Sequence, residues 1–99
     1  MPRFAIEPGG PERCVASGEL TFATAANALR TGAELLTRNR ASVLDLSRVE
    51  SGDSAGVAVL VEWLAIAQEA GQSLRFEGIP AQMLAIARIS DLEDLLLGR

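Results

Sequence analysis

The chain contains no histidine and no lysine, and it has a single cysteine among its 99 residues. The missing histidine and lysine are the side chains that usually activate a serine nucleophile. One cysteine cannot form an internal disulfide, and Cys14 stands in an apolar run that is typical of a buried strand thiol. The composition therefore argues against serine catalysis and favours a reducing compartment.

Long apolar runs and an excess of positive charge are also missing. No segment approaches the roughly 20 apolar residues of a membrane-spanning helix, and the N-terminus lacks the apolar core of a secretory signal. The formal net charge is −4, which disfavours nucleic acid and anionic lipid as ligands. A metal site normally recruits histidine or converging oxygens. We therefore expect a cytoplasmic protein without a metal, a cofactor, a nucleic-acid partner or direct membrane insertion.

Apolar residues make up 48% of the sequence, which is enough to build one small domain over residues 1–99. Alternating apolar residues and turn residues predict strands at 3–7, 13–17, 41–46 and 74–77. Apolar residues at helical spacing predict helices at 22–36, 54–70, from 80 onward and 91–97. Thr21 is the predicted N-cap of the first helix, and Ser90 with Glu93 forms a predicted capping box for the last one.

The order of these elements predicts an α/β architecture. The first two strands are separated by a proline and glycine turn, so they should form an antiparallel hairpin. The third and fourth strands follow one another through a helix, so they should be parallel and close together in the sheet. We expect a small mixed four-stranded sheet with helices mainly on one face.

The second predicted helix is apolar around most of its circumference, and only a narrow arc with Glu62 and Glu69 is polar. A helix on a one-sided sheet needs to bury a stripe of somewhat more than 100°. The surplus, which includes Val59, Trp63 and Ile66, either packs on neighbouring helices or forms a surface for another protein. Tryptophan is a common binding hot spot, so Trp63 is a candidate contact as well as a candidate filler between helices.

The segment Gly-Asp-Ser-Ala-Gly at residues 52–56 fits the nucleophile-elbow pattern G-x-S-x-G. Without a base to take its proton, Ser54 is better interpreted as a recognition or modification point than as a nucleophile. Asp53 or Ser54 begins the helix, and losing such a cap costs about 1 kcal/mol. A phosphate on Ser54 would suit the positive end of the helix dipole while adding charge and bulk where a partner docks.

From end to end, the sequence resembles the STAS domain family. The marks are Gly-Glu-Leu at 18–20, Leu-Asp-Leu-Ser at 44–47, Asp-Ser-Ala-Gly at 53–56 and Ala-Gly at 70–71. Within the family the sequence is most similar to the MlaB group of bacterial phospholipid transporters, at residues 18–24, 60–64, 74–76 and 79–82. Anti-sigma-factor antagonists, another branch, more often have aspartate where Thr21 stands.

This resemblance implies a STAS fold and a non-catalytic subunit that binds and supports the cytoplasmic ATPase of a phospholipid-transport ABC complex, in the maintenance of outer-membrane lipid asymmetry. It implies a location at the cytoplasmic face of the inner membrane, reached through that partner. The alternative is an anti-sigma-factor antagonist that is regulated by phosphorylation of Ser54. The predicted partner contacts are Asp53, Ser54, Ala55, Val59, Trp63 and Ile66.

Overall fold

The computed structural model describes residues 1–99, which form four strands and four helices. In chain order these are β1 (Phe4–Pro8), β2 (Arg13–Leu20), α1 (Ala25–Arg38), β3 (Val43–Gly52), α2 (Ser54–Glu69), β4 (Arg75–Glu77), α3 (Ala81–Ile89) and α4 (Glu93–Leu97). None of the helices meets the length and hydropathy that a membrane span requires. The predicted succession of strands and helices in an α/β fold is confirmed.

The strands form one sheet in the order β1-β2-β3-β4. β1 and β2 are antiparallel, β3 is parallel to β2, and β4 is parallel to β3. A tight turn reverses the chain direction, whereas a helix crossover returns the chain so that the next strand runs the same way. The predicted hairpin and the predicted parallel pairing of the last two strands are both confirmed.

β2 and β3 are longer than the sequence pattern predicted. They end at Leu20 and Gly52, well beyond the predicted ends at 17 and 46. The register of this pair shifts after Val15 and again after Gly18, whose φ of +87° lies in the left-handed region. Each irregularity interrupts the alternation of side chains between the two faces. The continuing strand therefore lacks the period-two pattern by which strands are recognised.

Helix α1 begins at Ala25, and its N-cap is Thr24 rather than the predicted Thr21. The Thr24 hydroxyl accepts a hydrogen bond from the backbone N–H of Thr21 at 3.0 Å and donates one to the carbonyl of Glu19 at 2.9 Å. These bonds hold the preceding segment in a turn, so the chain does not become helical until after Thr24. Local hydrogen bonding by threonine competes with helix formation in this way.

Helix α4 begins at Glu93 after Leu92, and the predicted capping box between Ser90 and Glu93 does not form. The carboxylate of Glu93 instead pairs with the guanidinium of Arg88 at 2.8 Å. This pairing raises the pKa of Arg88 and lowers the pKa of Glu93, in each case first through the hydrogen bond between the two side chains. A charged neighbour on α3 thus replaces the local bond that the sequence suggested.

The helices cover one face of the sheet. Cys14 and Leu44 are register partners, and both are fully buried. Their chain neighbours Arg13 and Asp45 point to the opposite face, where Arg13 pairs with Glu77 at 2.7 Å and lies 3.8 Å from Asp45. The prediction of a one-sided sheet is confirmed.

Cys14 is buried under the helices. Burial raises the pKa of the Cys14 thiol, as expected for an unreactive strand cysteine.

Helix α2 lies between α1 and α3 and contacts both of them. It also supplies the centre of the core, because Trp63 and Leu60 are among the largest fully buried side chains. The others of this group come from the sheet and from α3 and α4; they are Cys14, Leu20, Leu44, Leu46, Met83 and Leu96. Most of the apolar surplus on α2 is therefore covered by the chain itself.

Candidate functional site

The Asp-Ser-Ala-Gly motif lies where β3 ends and α2 begins. Asp53 is the N-cap of α2, and its Oδ1 accepts a hydrogen bond from the backbone N–H of Gly56 at 3.1 Å. Its Oδ2 accepts a second bond from the backbone N–H of Phe22 at 3.0 Å. One carboxylate therefore caps α2 and also ties the turn before α1 to the start of α2.

The environment of Asp53 favours the charged form of its carboxyl group. Partial burial acts to raise the pKa, but hydrogen bonds from the backbone N–H groups of Phe22, Gly56 and Ala55 outweigh it, so the pKa of Asp53 lies below its ordinary value. The positive end of the α2 dipole acts in the same direction. Asp53 is therefore a charged structural residue at neutral pH, and its two carboxylate oxygens are already occupied.

Replacing Asp53 by alanine should lower the free energy of unfolding by about 1–2 kcal/mol at pH 7, because both hydrogen bonds are lost. Since the folded-state pKa is lowered, the contribution of Asp53 is complete above its unfolded pKa of about 3.9 and is lost as the pH falls through the folded value. Urea unfolding measures the free energy of unfolding of both proteins. We expect the difference between Asp53→Ala and the original chain to be smaller at pH 3 than at pH 7.

The control for this substitution is Glu50→Ala, which removes an exposed acid whose side chain makes no hydrogen bond to the chain. We expect this variant to change the free energy of unfolding by less than about 0.5 kcal/mol at pH 7. An Asp53→Ala variant that matches the control would contradict the capping role.

Gly56 is the second motif residue with a structural role. A Cβ atom at this position would collide with the carbonyl oxygen of Leu20, at the end of β2. The same carbonyl accepts a hydrogen bond from the backbone N–H of Asp53 at 3.3 Å. Glycine is required here because the first turn of α2 lies directly against the backbone of the neighbouring strand.

Ser54 is the motif residue that these contacts leave free. It is the first residue of α2, its side chain is exposed, and its hydroxyl makes no hydrogen bond to the rest of the chain. The chain offers no histidine or lysine to take its proton. Ser54 is therefore presented to solvent on a rigid support, in a position suited to contact or modification.

A shallow apolar groove of about 330 Å³ lies next to this serine, between the first halves of α1 and α2. We call it the α1–α2 groove. Its lining residues are Phe22, Ala25, Ala26, Leu29, Ala55, Ala58, Val59 and Glu62. Phe22 is 84% exposed, although it lies in the turn that Asp53 holds in place. Phe22 and the groove together leave apolar surface uncovered at this end of the molecule.

The prediction that Trp63 is a contact residue is wrong. Its side chain is 1% exposed, its ring centroid lies 5.9 Å from that of Phe4, and its indole N–H donates to the carbonyl of Leu29 at 3.3 Å. Helix α1 approaches so closely that a Cβ atom on Gly32 would collide with the ring. Trp63 is the filler between α1, α2 and β1, which is the other role that the sequence allowed.

The remaining predicted contacts divide into three groups. Val59 is 4% exposed but lies in the wall of the groove, so its role as a contact stays a prediction. Ala55 is half-buried and lines the groove beside Ser54. Ile66 is half-buried farther along α2, outside the groove. The roles of Ser54, Ala55 and Ile66 in binding stay predictions, as does any contact through Asp53.

Sequence reasoning missed Phe22, which it assigned to the first turn of α1. A signal was available, because Phe22 stands between two candidate N-caps, Thr21 and Thr24. Starting the helix after the second threonine would have left Phe22 in an exposed turn. The groove itself could not be foreseen, since its two walls lie on helices whose separation in space the spacing of apolar residues does not reveal.

A second cavity, of about 350 Å³, lies at the opposite end of the sheet. Gln72 lines it and donates from Nε2 to the carbonyl of Leu36 at 3.1 Å and to that of Ala41 at 3.2 Å, so this side chain ties α1 to the start of β3. Sites in open α/β sheets lie at the carboxyl ends of the parallel strands, where Ser54 is found. No group of three or more His, Cys, Asp or Glu side chains is placed to hold a metal ion.

Comparison with known proteins agrees with this fold. A family model described as "Mlab, STAS domain" matches residues 8–98. The structure of the anti-sigma factor antagonist SpoIIAA in its unphosphorylated form is similar, with a TM-score of 0.70 and 15% sequence identity over 92% of this chain and 83% of that chain. No protein of curated function matches. At this identity the structural likeness shows the fold alone.

Proposed function

The chain belongs to the STAS domain family, with a match of the Mlab type over residues 8–98, and on that premise we propose that it binds and supports the cytoplasmic ATPase of a phospholipid-transport ABC complex. In this role it is a non-catalytic subunit. It binds the ATPase and stabilises the active assembly of that enzyme. In this way it contributes to lipid transport and to the lipid asymmetry of the outer membrane.

The exposed and unbonded hydroxyl of Ser54 is the observation that supports this proposal most directly. Asp53 and Gly56, the flanking motif residues, serve the fold through a cap and a close backbone approach. Ser54 serves no such purpose within the chain, yet it is held on the first turn of a helix that is packed on both sides. A side chain that is held in place by the backbone but makes no hydrogen bond within the chain is suited to an intermolecular contact.

The surroundings of Ser54 favour binding over turnover. The hydroxyl has no imidazole or amine nearby to accept its proton, because the chain contains neither histidine nor lysine. Beside it lies the apolar α1–α2 groove, in which Phe22 and Ala58 are exposed. A polar group at the border of an apolar patch is the usual composition of a protein interface.

A sizing column followed by titration calorimetry tests the proposal on the purified chain and its cognate ATPase. We expect a stable complex, and we expect Ser54→Arg to weaken it at least tenfold, about 1.4 kcal/mol. The added side chain would obstruct the contact, whereas the exposed position leaves the fold intact. The matched control is Ser90→Arg, because Ser90 is also exposed and its hydroxyl makes no hydrogen bond to the chain.

Two results would decide against this assignment. If the unaltered chain does not bind the ATPase, the proposed function is wrong. If it binds but Ser54→Arg behaves like Ser90→Arg, the partner is correct and the contact lies elsewhere. Circular dichroism of both variants tests whether each one is still folded.

Under the proposal, the chain lies at the cytoplasmic face of the inner membrane because its partner is bound to the permease there. A direct membrane contact is not needed. We expect the chain to sediment with membranes that contain the assembled transporter and to remain in the supernatant when the ATPase is missing.

An anti-sigma-factor antagonist regulated by phosphorylation of Ser54 is the second candidate function. The exposed hydroxyl at a helix N-terminus suits a phosphate, and the fold is that of SpoIIAA, a protein of this class. Incubation with an anti-sigma kinase and ATP distinguishes the two functions. Phosphoryl transfer that is lost in Ser54→Ala would favour the antagonist, whereas binding to the ATPase without phosphorylation favours the transport subunit.

A further inference from the structure

The cavity at the opposite end of the sheet from Ser54 has a polar lining, and we call it the polar cavity. Three segments form it: the turn between β1 and β2, residues 40–42 after α1 and residues 71–73 after α2. Its volume is about 350 Å³, and Ala41 is the only apolar residue of the lining. Ligand pockets begin at about 300 Å³ and are mostly apolar. A cavity of this size and composition suits a small hydrophilic molecule.

Two opposite charges line the polar cavity without pairing with each other. Glu12 and Arg40 are both exposed, and neither takes part in any ion pair of the chain. The charged side chains on the nearby open face of the sheet differ, because Glu77 pairs with Arg13 at 2.7 Å and with Arg75 at 3.0 Å. An acid and a base that line one cavity and leave each other free are complementary to a molecule that carries both charges.

The backbone of both charged residues lies in the left-handed region. The φ angle is +56° at Glu12 and +49° at Arg40, a conformation that favours glycine or asparagine. The end of α2 has the usual residue, since Gly71 follows the C-cap with a φ of +74°. At the equivalent position after α1, the chain has Arg40 instead. Residues held in such unfavourable conformations cluster at ligand sites.

Backbone hydrogen bonds hold these two residues in place. The carbonyl of Glu12 accepts bonds from the backbone N–H groups of Ser42 at 2.8 Å and Val43 at 3.2 Å. The backbone N–H of Arg40 donates to the carbonyl of Thr37 at 3.2 Å. Both side chains therefore extend from a fixed backbone, which lowers the entropy cost of binding a ligand between them.

The C-terminal ends of α1 and α2 both lead into the polar cavity. A helix C-terminus carries a partial negative charge and favours a cation. Arg38 offsets this charge in the last turn of α1, but α2 has no basic residue in its last turn. Sites for a phosphate alone lie at helix N-termini, which are at the other end of this sheet. The cavity therefore favours a ligand with an ammonium group over a simple anion.

We propose that the polar cavity binds a small zwitterion, whose ammonium group pairs with the carboxylate of Glu12 and whose acidic group pairs with the guanidinium of Arg40. The hydroxyls of Ser42 and Ser73 belong to the lining and can hydrogen-bond to either group. Amino acids and the phosphoethanolamine headgroup share this chemistry. The inference goes beyond the proposed function and does not depend on it, because the cavity and Ser54 lie at opposite ends of the sheet.

Titration of the full chain, followed by two-dimensional proton–nitrogen NMR, tests the inference. The zwitterionic probes are glycine and phosphoethanolamine, and the controls are ethanolamine and inorganic phosphate, each of which carries only one kind of charge. We expect at least one zwitterion to shift the amide signals of residues 40–42 and 71–73. It should bind at least about tenfold more tightly than either control, because it forms both charged contacts. The tighter of the two zwitterions identifies the acidic group as carboxylate or phosphate.

Asparagine substitutions test the two charged residues while preserving the turns, because asparagine tolerates the left-handed region. We expect Glu12→Asn and Arg40→Asn each to weaken zwitterion binding at least about tenfold and to keep the cooperative thermal unfolding of the original chain. The matched control is Asp91→Asn, which removes a charge at the third non-glycine residue of positive φ, outside the cavity. This control should bind within about twofold of the original chain.

Vesicles of phosphatidylethanolamine distinguish a lipid headgroup from a free molecule. Sedimentation of the chain with these vesicles, reduced in Glu12→Asn, would assign the headgroup, whereas binding of the soluble probes alone would assign a free zwitterion. The inference is overturned if no zwitterion shifts the signals of the cavity at millimolar concentration, if the singly charged controls bind equally well, or if both asparagine variants bind like the original chain. None of these measurements contains the ATPase, so the proposed function is tested separately.

Discussion

Replacing Trp63 by alanine is expected to lower the free energy of unfolding by about 3–5 kcal/mol, the cost of removing a large aromatic side chain from a core. The indole is 1% exposed and is surrounded by α1 and β1 as well as its own helix. Its loss also leaves the carbonyl of Leu29 without the indole N–H. Because small domains are stable by only about 5–15 kcal/mol, this variant should be close to unfolding at room temperature.

Urea unfolding followed by far-ultraviolet circular dichroism measures this effect, since Trp63 is the only tryptophan and its fluorescence is lost with it. The control is Ile66→Ala on the half-buried flank of the same helix, for which we expect a cost below about 2 kcal/mol. Equal stability of the Trp63→Ala variant and the original chain would show that the indole is not in the core.

The same prediction changes how a binding experiment on Trp63 is interpreted. A tryptophan at the interface would reduce affinity while the domain stays folded, whereas a core tryptophan reduces affinity by unfolding the domain. Reduced ATPase binding by Trp63→Ala, accompanied by lost circular dichroism, would therefore report on the core. Ser54→Arg, at an exposed position, is the variant that tests the proposed contact.

Replacing Gly56 by alanine is expected to destabilise the domain by about 1–3 kcal/mol, the range for overpacking a tight site. Helix propensity alone predicts the opposite, a gain of up to about 1 kcal/mol for alanine over glycine inside a helix. The collision of the new Cβ with the carbonyl oxygen of Leu20 decides the sign, because that oxygen belongs to the backbone and cannot rotate away. The start of α2 must shift, and the cap formed by Asp53 shifts with it.

The matched control is Ala58→Gly, which makes the reverse change at an exposed position of the same helix. It should cost up to about 1 kcal/mol through helix propensity. Thermal and urea unfolding of both variants separate the two effects. A Gly56→Ala variant more stable than the original chain would contradict the close contact between α2 and the Leu20 carbonyl.

The contacts behind these two predictions explain why the start of α2 has this sequence. Gly56 permits the close approach of the helix to the sheet, Asp53 closes the helix end, and Trp63 holds the far side of the helix against α1. Ser54 stands on this framework without contributing to it. Under the proposed function, the partner would bind a surface that this packing already holds in place.

Much of the fold follows from local patterns in the sequence. The proline and glycine turn between β1 and β2 predicted a hairpin, and the helical spacing of apolar residues located α2 to within a residue of its observed ends, Ser54 and Glu69. Because the chain has no histidine and no lysine, Ser54 was not interpreted as a catalytic nucleophile. Such features are readable because each depends on the chemistry of a few adjacent residues.

The candidate site was predictable only in part. The motif drew attention to Ser54, which the structure does leave exposed. The apolar surplus of α2 was recognised as well, but the sequence left open whether Trp63 is a contact or a filler, and Phe22 and Ala58 were not singled out. A count of apolar residues around a helix does not say which neighbour covers them.

The sequence by itself determined the type and order of the elements, the one-sided sheet and the lack of a base for Ser54, because turn residues, periodicity and the absence of histidine and lysine can be recognised without knowing the fold. Only the tertiary structure decided that Trp63 is buried between α1 and α2 and that Phe22 and Ala58 border an open groove. The reason is physical: burial depends on how closely two helices pack, and at Gly32 the missing side chain of one helix makes room for the indole of the other.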